Sequence, residues 1–308
     1  MSIADSSRRV YNHGQNCYLS LCNQLRIPPY PLIERNLTLF TTFLARSTGF
    51  STIRTYLAAV RFRNIELGFS TNFEHMHQLN MILRGIKRLK GASCRPKRLP
   101  ITPEIMRILK TRLRSSDYKL QDQSMLWSAF TTAFFGFLRS SEFCCLSKHS
   151  FNRNSTLLLK DVSFVDNAVL IQIKVSKADP FRDGKQVRLA ASGNSICPLR
   201  ALQNHVRFCK DQDKPLFVFQ NAEFLTRPEF TSIIRSLLGR DFPNLEQYSS
   251  HSFRIGAATT AAAADLPDWL IKDLGRWSSN CFEQYIRTPR AIVDSVPLRL
   301  SGVKSNRF

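Results

Sequence analysis

A chain of 308 residues, 43% of them hydrophobic, is long enough for two cores of ordinary size and too apolar to be a disordered protein. Its 44 Lys and Arg against 23 Asp and Glu leave a net charge of +21, which matches a polyanion and points first to nucleic acid. A membrane-surface or ribosomal partner and a merely basic soluble protein are the other readings of that excess. The longest run without formal charge, Gln123 to Leu138, has 16 residues and contains Gln, Ser and Thr. A bilayer span needs roughly 20 apolar residues, so this run reads as a buried helix and no membrane partner is expected.

Asp5, Arg8 and Arg9 interrupt the start of the chain and no apolar run follows, so no export signal is read. Eight cysteines include no CxxC pair, and no His stands at zinc-finger spacing. His75 and His77, two apart, would lie on different faces of a helix. The thiols are therefore expected to be reduced core residues, and no metal or cofactor is expected.

Residues 1–98 read as a bundle of short helices. Apolar residues recur at near-helical period over Thr52–Leu67 and Phe73–Leu89, and no strand is expected before residue 150. This third of the chain holds 15 Lys and Arg and 4 Asp and Glu, a net +11; residues 99–308 hold 29 and 19, a net +10. A DNA-gripping module joined to a more balanced one fits that asymmetry. Between them lies a basic stretch, Arg84, Lys87, Arg88, Lys90, Arg95, Lys97 and Arg98. Gly91, Ser93, Pro96 and Pro100 should take it out of helix, making 84–98 a linker. It reads as a flexible connection, a nuclear-import signal or, preferred with a DNA partner, a strap along a phosphate backbone.

Thr102-Pro103-Glu104 is an N-cap followed by Pro at the first helical position, so the second domain, 99–308, opens with a helix through Leu113. A long buried helix is expected from about Gln121 to Leu138. Leu157–Leu159, Val169–Val175 and Gln186–Leu189 read as strands of a small antiparallel sheet, with turns at Asp166-Asn167 and Asp183-Gly184. Helices resume over 198–210, 228–238, 252–264, 268–274 and 279–286.

Four places in this domain hold unusual chemistry. Arg139 ends a very apolar helix and is costly to leave unpaired; alone, it reads as a structural partner of Glu142. His251 and Arg254, three apart near a helix start, share a face and could meet one phosphate. Trp277 follows Gly275, which reads as a helix C-cap, and Tyr285 stands eight residues beyond Trp277. A lone Trp or Tyr is usually core.

Taken in order, Arg139, Glu142, Lys177, His251, Arg254, Trp277 and Tyr285 resemble the motif series of the tyrosine recombinase (phage-integrase-like) family. The segments Phe135–Glu142, Ser176–Gly184 and Ser250–Ala257 are most similar to the recombinases of eukaryotic mobile elements of the Crypton and DIRS type. Ser51–Arg61 resembles a helix of the family's core-binding domain. Tyr285 stands slightly closer to Trp277 than in many bacterial members, a difference that the turn at Gly275 and Ser278-Ser279 can absorb. The resemblance implies a mainly α fold with a small antiparallel β-sheet. It implies a two-domain DNA clamp, a helical SAM-like core-binding domain plus an α+β catalytic domain.

The resemblance also implies roles. Arg139 and Arg254 would neutralise the phosphodiester, His251 and Trp277 would donate to its oxyanion, and Tyr285 would be the nucleophile, giving a 3′-phosphotyrosyl link. Trp donates only, so any acid–base work at that pair falls to His251. Lys177 would protonate the leaving 5′-oxygen, with Lys174 and Lys185 as alternatives. Arg54, Arg61, Arg63, Lys87, Arg88, Lys90, Arg95, Lys97 and Arg98 are the expected contacts to double-stranded DNA. A homotetramer on paired sites and, in a eukaryotic host, a nuclear location follow from the resemblance. Three other readings stay open: an inert, domesticated DNA-binding protein, a type IB topoisomerase-like activity, and an unrelated basic structural protein.

Overall fold

The computed structural model describes residues 5–70, 73–90, 97–176, 179, 183–287, 293, 297 and 301. The chain divides into two compact units, Met1–Pro96 and Lys97–Phe308.

The first unit is helical: α1 (Asp5–Leu25), α2 (Glu34–Ala45), α3 (Phe50–Glu66) and α4 (His77–Lys90). Tyr18, Leu37, Phe40, Ile53, Val60 and Leu79 form its core. Buried Asn64 ties two loops to that core, accepting from the Leu32 amide and donating to Phe69 O, both at 3.0 Å. Two expectations need correction. Phe73–His75 is a separate 3₁₀ turn ahead of α4 rather than its first turn. Arg84–Lys90 remain helical instead of entering a linker. Leu79, Ile82, Leu83 and Ile86 carry the apolar face to that end of α4, while Arg84, Lys87 and Arg88 take its exposed side. Lys90 turns back to donate to Thr48 O at 2.8 Å. Arg95 lies outside the described residues.

The second unit opens with α5 (Pro103–Arg114), capped by Thr102, whose hydroxyl accepts from the Ile105 amide. The buried α6 (Leu120–Phe135) and the single turn α7 (Ser140–Phe143) follow. Then come β1 (Val162–Val165), β2 (Ala168–Ile173) and β3 (Lys185–Ala190), an antiparallel sheet in the order β1-β2-β3. The helices α8 (Pro198–Val206), α9 (Arg227–Leu238), α10 (Ser252–Ala263) and α11 (Asp268–Leu274) and a 3₁₀ turn, Asn280–Gln284, complete the unit. One large core built on α6, with Phe130 against Phe230 and Phe253, joins the helices to the sheet. Among the described residues no helix is long and apolar enough to cross a membrane.

Leu157–Leu159 are buried but are not the expected strand. Leu158 makes an isolated bridge to Pro215, and the Asp161 carboxylate accepts from its amide at 2.7 Å, closing a 3₁₀ turn; the first strand starts at Val162. Helix α6 stops three residues before the expected end. The Phe137 amide bonds to Phe134 O and the Leu138 amide to Ala133 O, with Phe137 in the left-handed region at φ 49°. That is a Schellman turn. It releases the chain into the extended conformation from which Arg139 leaves.

Candidate active site

Helix α11 ends in the same way. The Arg276 amide bonds to Asp273 O and the Trp277 amide to Lys272 O, with Arg276 left-handed at φ 53°. Two Schellman turns therefore present Arg139 and Trp277. Helix α10 supplies the third side, with His251 at its N-cap and Arg254 in its first turn. Gly256 lets the chain entering α5 lie directly on α10, because a Cβ there would overlap Ile101 O; the Ile101 amide bonds to Ser252 O at 2.9 Å. Gly275 likewise leaves the space that the Trp277 ring occupies.

Arg254 is completely buried. Its Nη1 donates to Phe137 O and its Nη2 to Gly275 O, so each Schellman turn receives one arm of the fork. Its Nε has no partner among the described residues. The guanidinium lies 4.1 Å from the Trp277 ring centroid and 5.8 Å from that of Tyr285. Burial first, and Arg139 second, press its pKa below the ordinary arginine value. A guanidinium starts so far above neutrality that it remains charged.

Arg139 is held by two acceptors. Its Nη1 donates to Glu142 Oε1 at 3.1 Å and to Ser176 Oγ at 3.0 Å. Glu142 has no exposed side-chain surface and serves four donors. Oε1 also accepts from Ser176 Oγ at 2.8 Å, and Oε2 accepts from the Arg139 amide at 2.9 Å and from Arg276 Nη2 at 2.8 Å. Burial alone would raise its pKa. Arg276 outweighs that, together with the Arg139 amide, Ser176 and Arg139, and the carboxyl sits below its ordinary value.

The Tyr285 ring stands 5.1 Å from the rings of His251 and Trp277, centroid to centroid. It follows the 3₁₀ turn Asn280–Gln284, which takes up the short spacing from Trp277. Thr259 of α10 fixes this segment: its hydroxyl donates to Tyr285 O at 3.2 Å and accepts from the Arg287 amide at 3.0 Å. The tyrosine therefore fills the site of its own chain. Burial lowers the His251 pKa to about 4, helped by the charges of Arg98, Arg254, Arg139 and Arg227. A neutral imidazole beside a phenol results. The Trp277 indole N–H is buried without a partner among the described residues, a donor open to an oxyanion.

Of the site residues expected from sequence, Arg139, Glu142, His251, Arg254, Trp277 and Tyr285 come together. Lys177 lies outside the described residues. Its two alternatives are both ion-paired: Lys174 with Asp161 at 2.6 Å and Lys185 with Asp273 at 2.9 Å, and Lys185 lines a pocket shared with Ser176, Arg276 and Trp277. Arg54, Arg61, Arg63, Lys87, Arg88, Lys97 and Arg98 are exposed, while Lys90 is half-buried. Arg63 pairs with Glu66 at 3.1 Å, and Arg61 lies over the Phe73 ring at 5.2 Å. Sequence reasoning gave Arg276 and Ser176 no role. The signal for Arg276 was a charged residue between a C-cap glycine and a core Trp, where nothing apolar is gained by placing it. Among the described residues no group of His, Cys, Asp and Glu could hold a metal ion.

The fold is that of the tyrosine recombinases. A Tn1549 transposon integrase in complex with transposon right-end DNA superposes with a TM-score of 0.63 at 12% identity, covering 98% of this chain and 95% of that one. A λ integrase dimer bound to a core site gives 0.59 at 13%, covering 93% and 90%. The XerH site-specific recombinase bound to a palindromic difH substrate gives 0.57 at 15%, covering 87% and 70%. No protein-family model and no curated relative matches the sequence.

Proposed function

We propose that this protein is a tyrosine recombinase that cuts and rejoins double-stranded DNA through a covalent bond to Tyr285. One observation carries the reading: Tyr285 stands against His251, Trp277 and Arg254, in the site that Arg139 borders. In this reading the Tyr285 oxygen attacks a phosphorus and passes its proton to neutral His251. The bond from phosphorus to the 5′-oxygen breaks, and Lys177 protonates the departing oxygen. Arg139 and Arg254 carry the developing charge, so the chemistry needs no metal. The 3′-phosphotyrosyl link keeps the bond energy, and a 5′-hydroxyl of another strand reverses the step. The DNA-bound recombinases of the same fold support a DNA substrate. A homotetramer on paired sites, an origin in a mobile element of the Crypton or DIRS type, and action in a nucleus are further parts of the proposal, supported by the sequence resemblance.

The test is a nicked suicide substrate carrying candidate element ends, incubated in EDTA and run on a denaturing gel. The wild type is expected to give a covalent adduct and Tyr285→Phe none, with DNA binding kept. An adduct in both would move the nucleophile elsewhere. No adduct in either, with tight binding retained, would favour an inert DNA-binding protein.

A further inference from the structure

A cavity of 390 Å³ opens in the second unit where the last turn of α5 and the first turns of α6 meet α8. It shares no lining residue with the candidate active site. Lys110, Arg114, Arg200 and Arg207 line it, and among the described residues no carboxylate does. Among the described residues none of these four cations makes an ion pair, although other surface charges of this unit are paired. Lys110 is the most enclosed of them, donating to Ser195 O and standing 5.3 Å from the Trp127 ring centroid. Burial, then Arg114 and Arg200, pull its pKa below the ordinary lysine value, the mark of positive charge gathered without an answering anion.

Two helix starts add to the field. Lys119, the N-cap of α6, makes no side-chain capping bond, and the first turns of α6 and α8 border the cavity. The positive ends of two helix dipoles reinforce the four side chains, although the Leu199 and Arg200 amides of α8 already meet the Cys197 sulfur. Trp127, with Phe208 and Leu120, gives the remaining wall an apolar, partly aromatic character. The volume is that of a small-ligand pocket rather than of an extended peptide groove.

We propose that this cavity binds a nucleoside phosphate, with the phosphate on Lys110, Arg114 and Arg200 and the base against the wall of Trp127 and Phe208. The nucleotide could be free or a unit of a single DNA strand, and the chemistry of recognition is the same. The site is independent of the strand-transfer reading. It lies beside the first turns of α6, whereas Arg139 follows the last.

The experiment is calorimetric titration of the full chain, without magnesium, using ATP, inorganic phosphate, a short oligothymidylate and an acidic peptide. The variants are Arg114→Ala/Arg200→Ala and a charge-matched control, Arg153→Ala/Arg188→Ala; all four side chains are exposed, so the fold should be kept. ATP is expected to bind one to one and to weaken at least about tenfold in the first pair while changing little in the second. Arg139→Ala should leave that binding intact. Uptake of ATP would identify a free nucleotide; oligothymidylate binding that needs the same arginines, without ATP uptake, would identify a strand. The proposal fails if neither ligand senses Arg114 and Arg200, if ATP binding is lost in Arg139→Ala, or if phosphate or the acidic peptide binds as tightly as ATP.

Discussion

Glu142 is the residue on which the site's charge balance turns, because one buried carboxylate answers Arg139 on one oxygen and Arg276 on the other. Arg276→Met should cost about 3–5 kcal/mol in denaturant unfolding, since it leaves a buried carboxylate one cation short and two carbonyls, Gly136 and Phe137, without this donor. Adding Glu142→Gln should recover part of that loss; strict additivity in the double-mutant cycle would mean that the two do not act as a pair. His251 makes a second prediction. Its native pKa, about 4, lies below the unfolded value of 6.5, so as pH falls between these values the unfolded chain takes up a proton that the native state does not. Stability is therefore lost on acidification, by about 2 kcal/mol from pH 7 to pH 5, and His251→Gln should remove that share of the slope in parallel urea titrations. The order of Arg139, His251, Arg254, Trp277 and Tyr285 was legible because each lies in a short motif at an element boundary. Arg276 was not, because its role depends on a bond to a residue 134 positions away.

At the scale of elements, the site is built by how helices end. α6 and α11 stop in Schellman turns whose left-handed positions hold Phe137 and Arg276 instead of glycine. A non-glycine residue there costs roughly 1–2 kcal/mol. Each offsets it locally: Phe137 packs edge-on against Trp277, and Arg276 reaches Glu142. Arg254 then bonds to a carbonyl of each turn, so three helix ends are fixed by one guanidinium. The close approach of α10 and the chain entering α5 depends on Gly256. Gly256→Ala must push apart two backbones that are bonded to each other, and it should destabilise by about 3 kcal/mol in urea unfolding. A change within about 0.5 kcal/mol, the ordinary range of a surface substitution, would show that this packing gives way freely. Element types were largely readable from periodicity and caps, Thr102 being the clearest case. The ends of α4 and α6 and the first strand were not. A basic tail does not end a helix whose apolar face continues, and a buried three-residue run serves a 3₁₀ turn as well as a strand.

For the whole molecule, the division of charge makes a prediction that neither unit makes alone. The first 98 residues carry a net +11 with 4 acidic residues among them, yet the residues placed in the candidate site all belong to the second unit. If the first unit supplies grip and the second chemistry, the two functions should separate experimentally. Each unit has its own core, so a fragment beginning at Lys97 should fold cooperatively. On a nicked substrate in low salt it should still form the Tyr285 adduct, because every residue placed in the candidate site belongs to the second unit. Its affinity should be weaker and less sensitive to salt. Every phosphate that the fragment no longer neutralises lowers the slope of log K against log salt by about 0.9, so four such phosphates would flatten it by about 3–4. The measurement is duplex binding over a range of salt for the full chain and the fragment. Equal slopes would assign the first unit's charge to something other than DNA, while failure to form the adduct at saturating DNA would mean that the first unit takes part in assembling the active site.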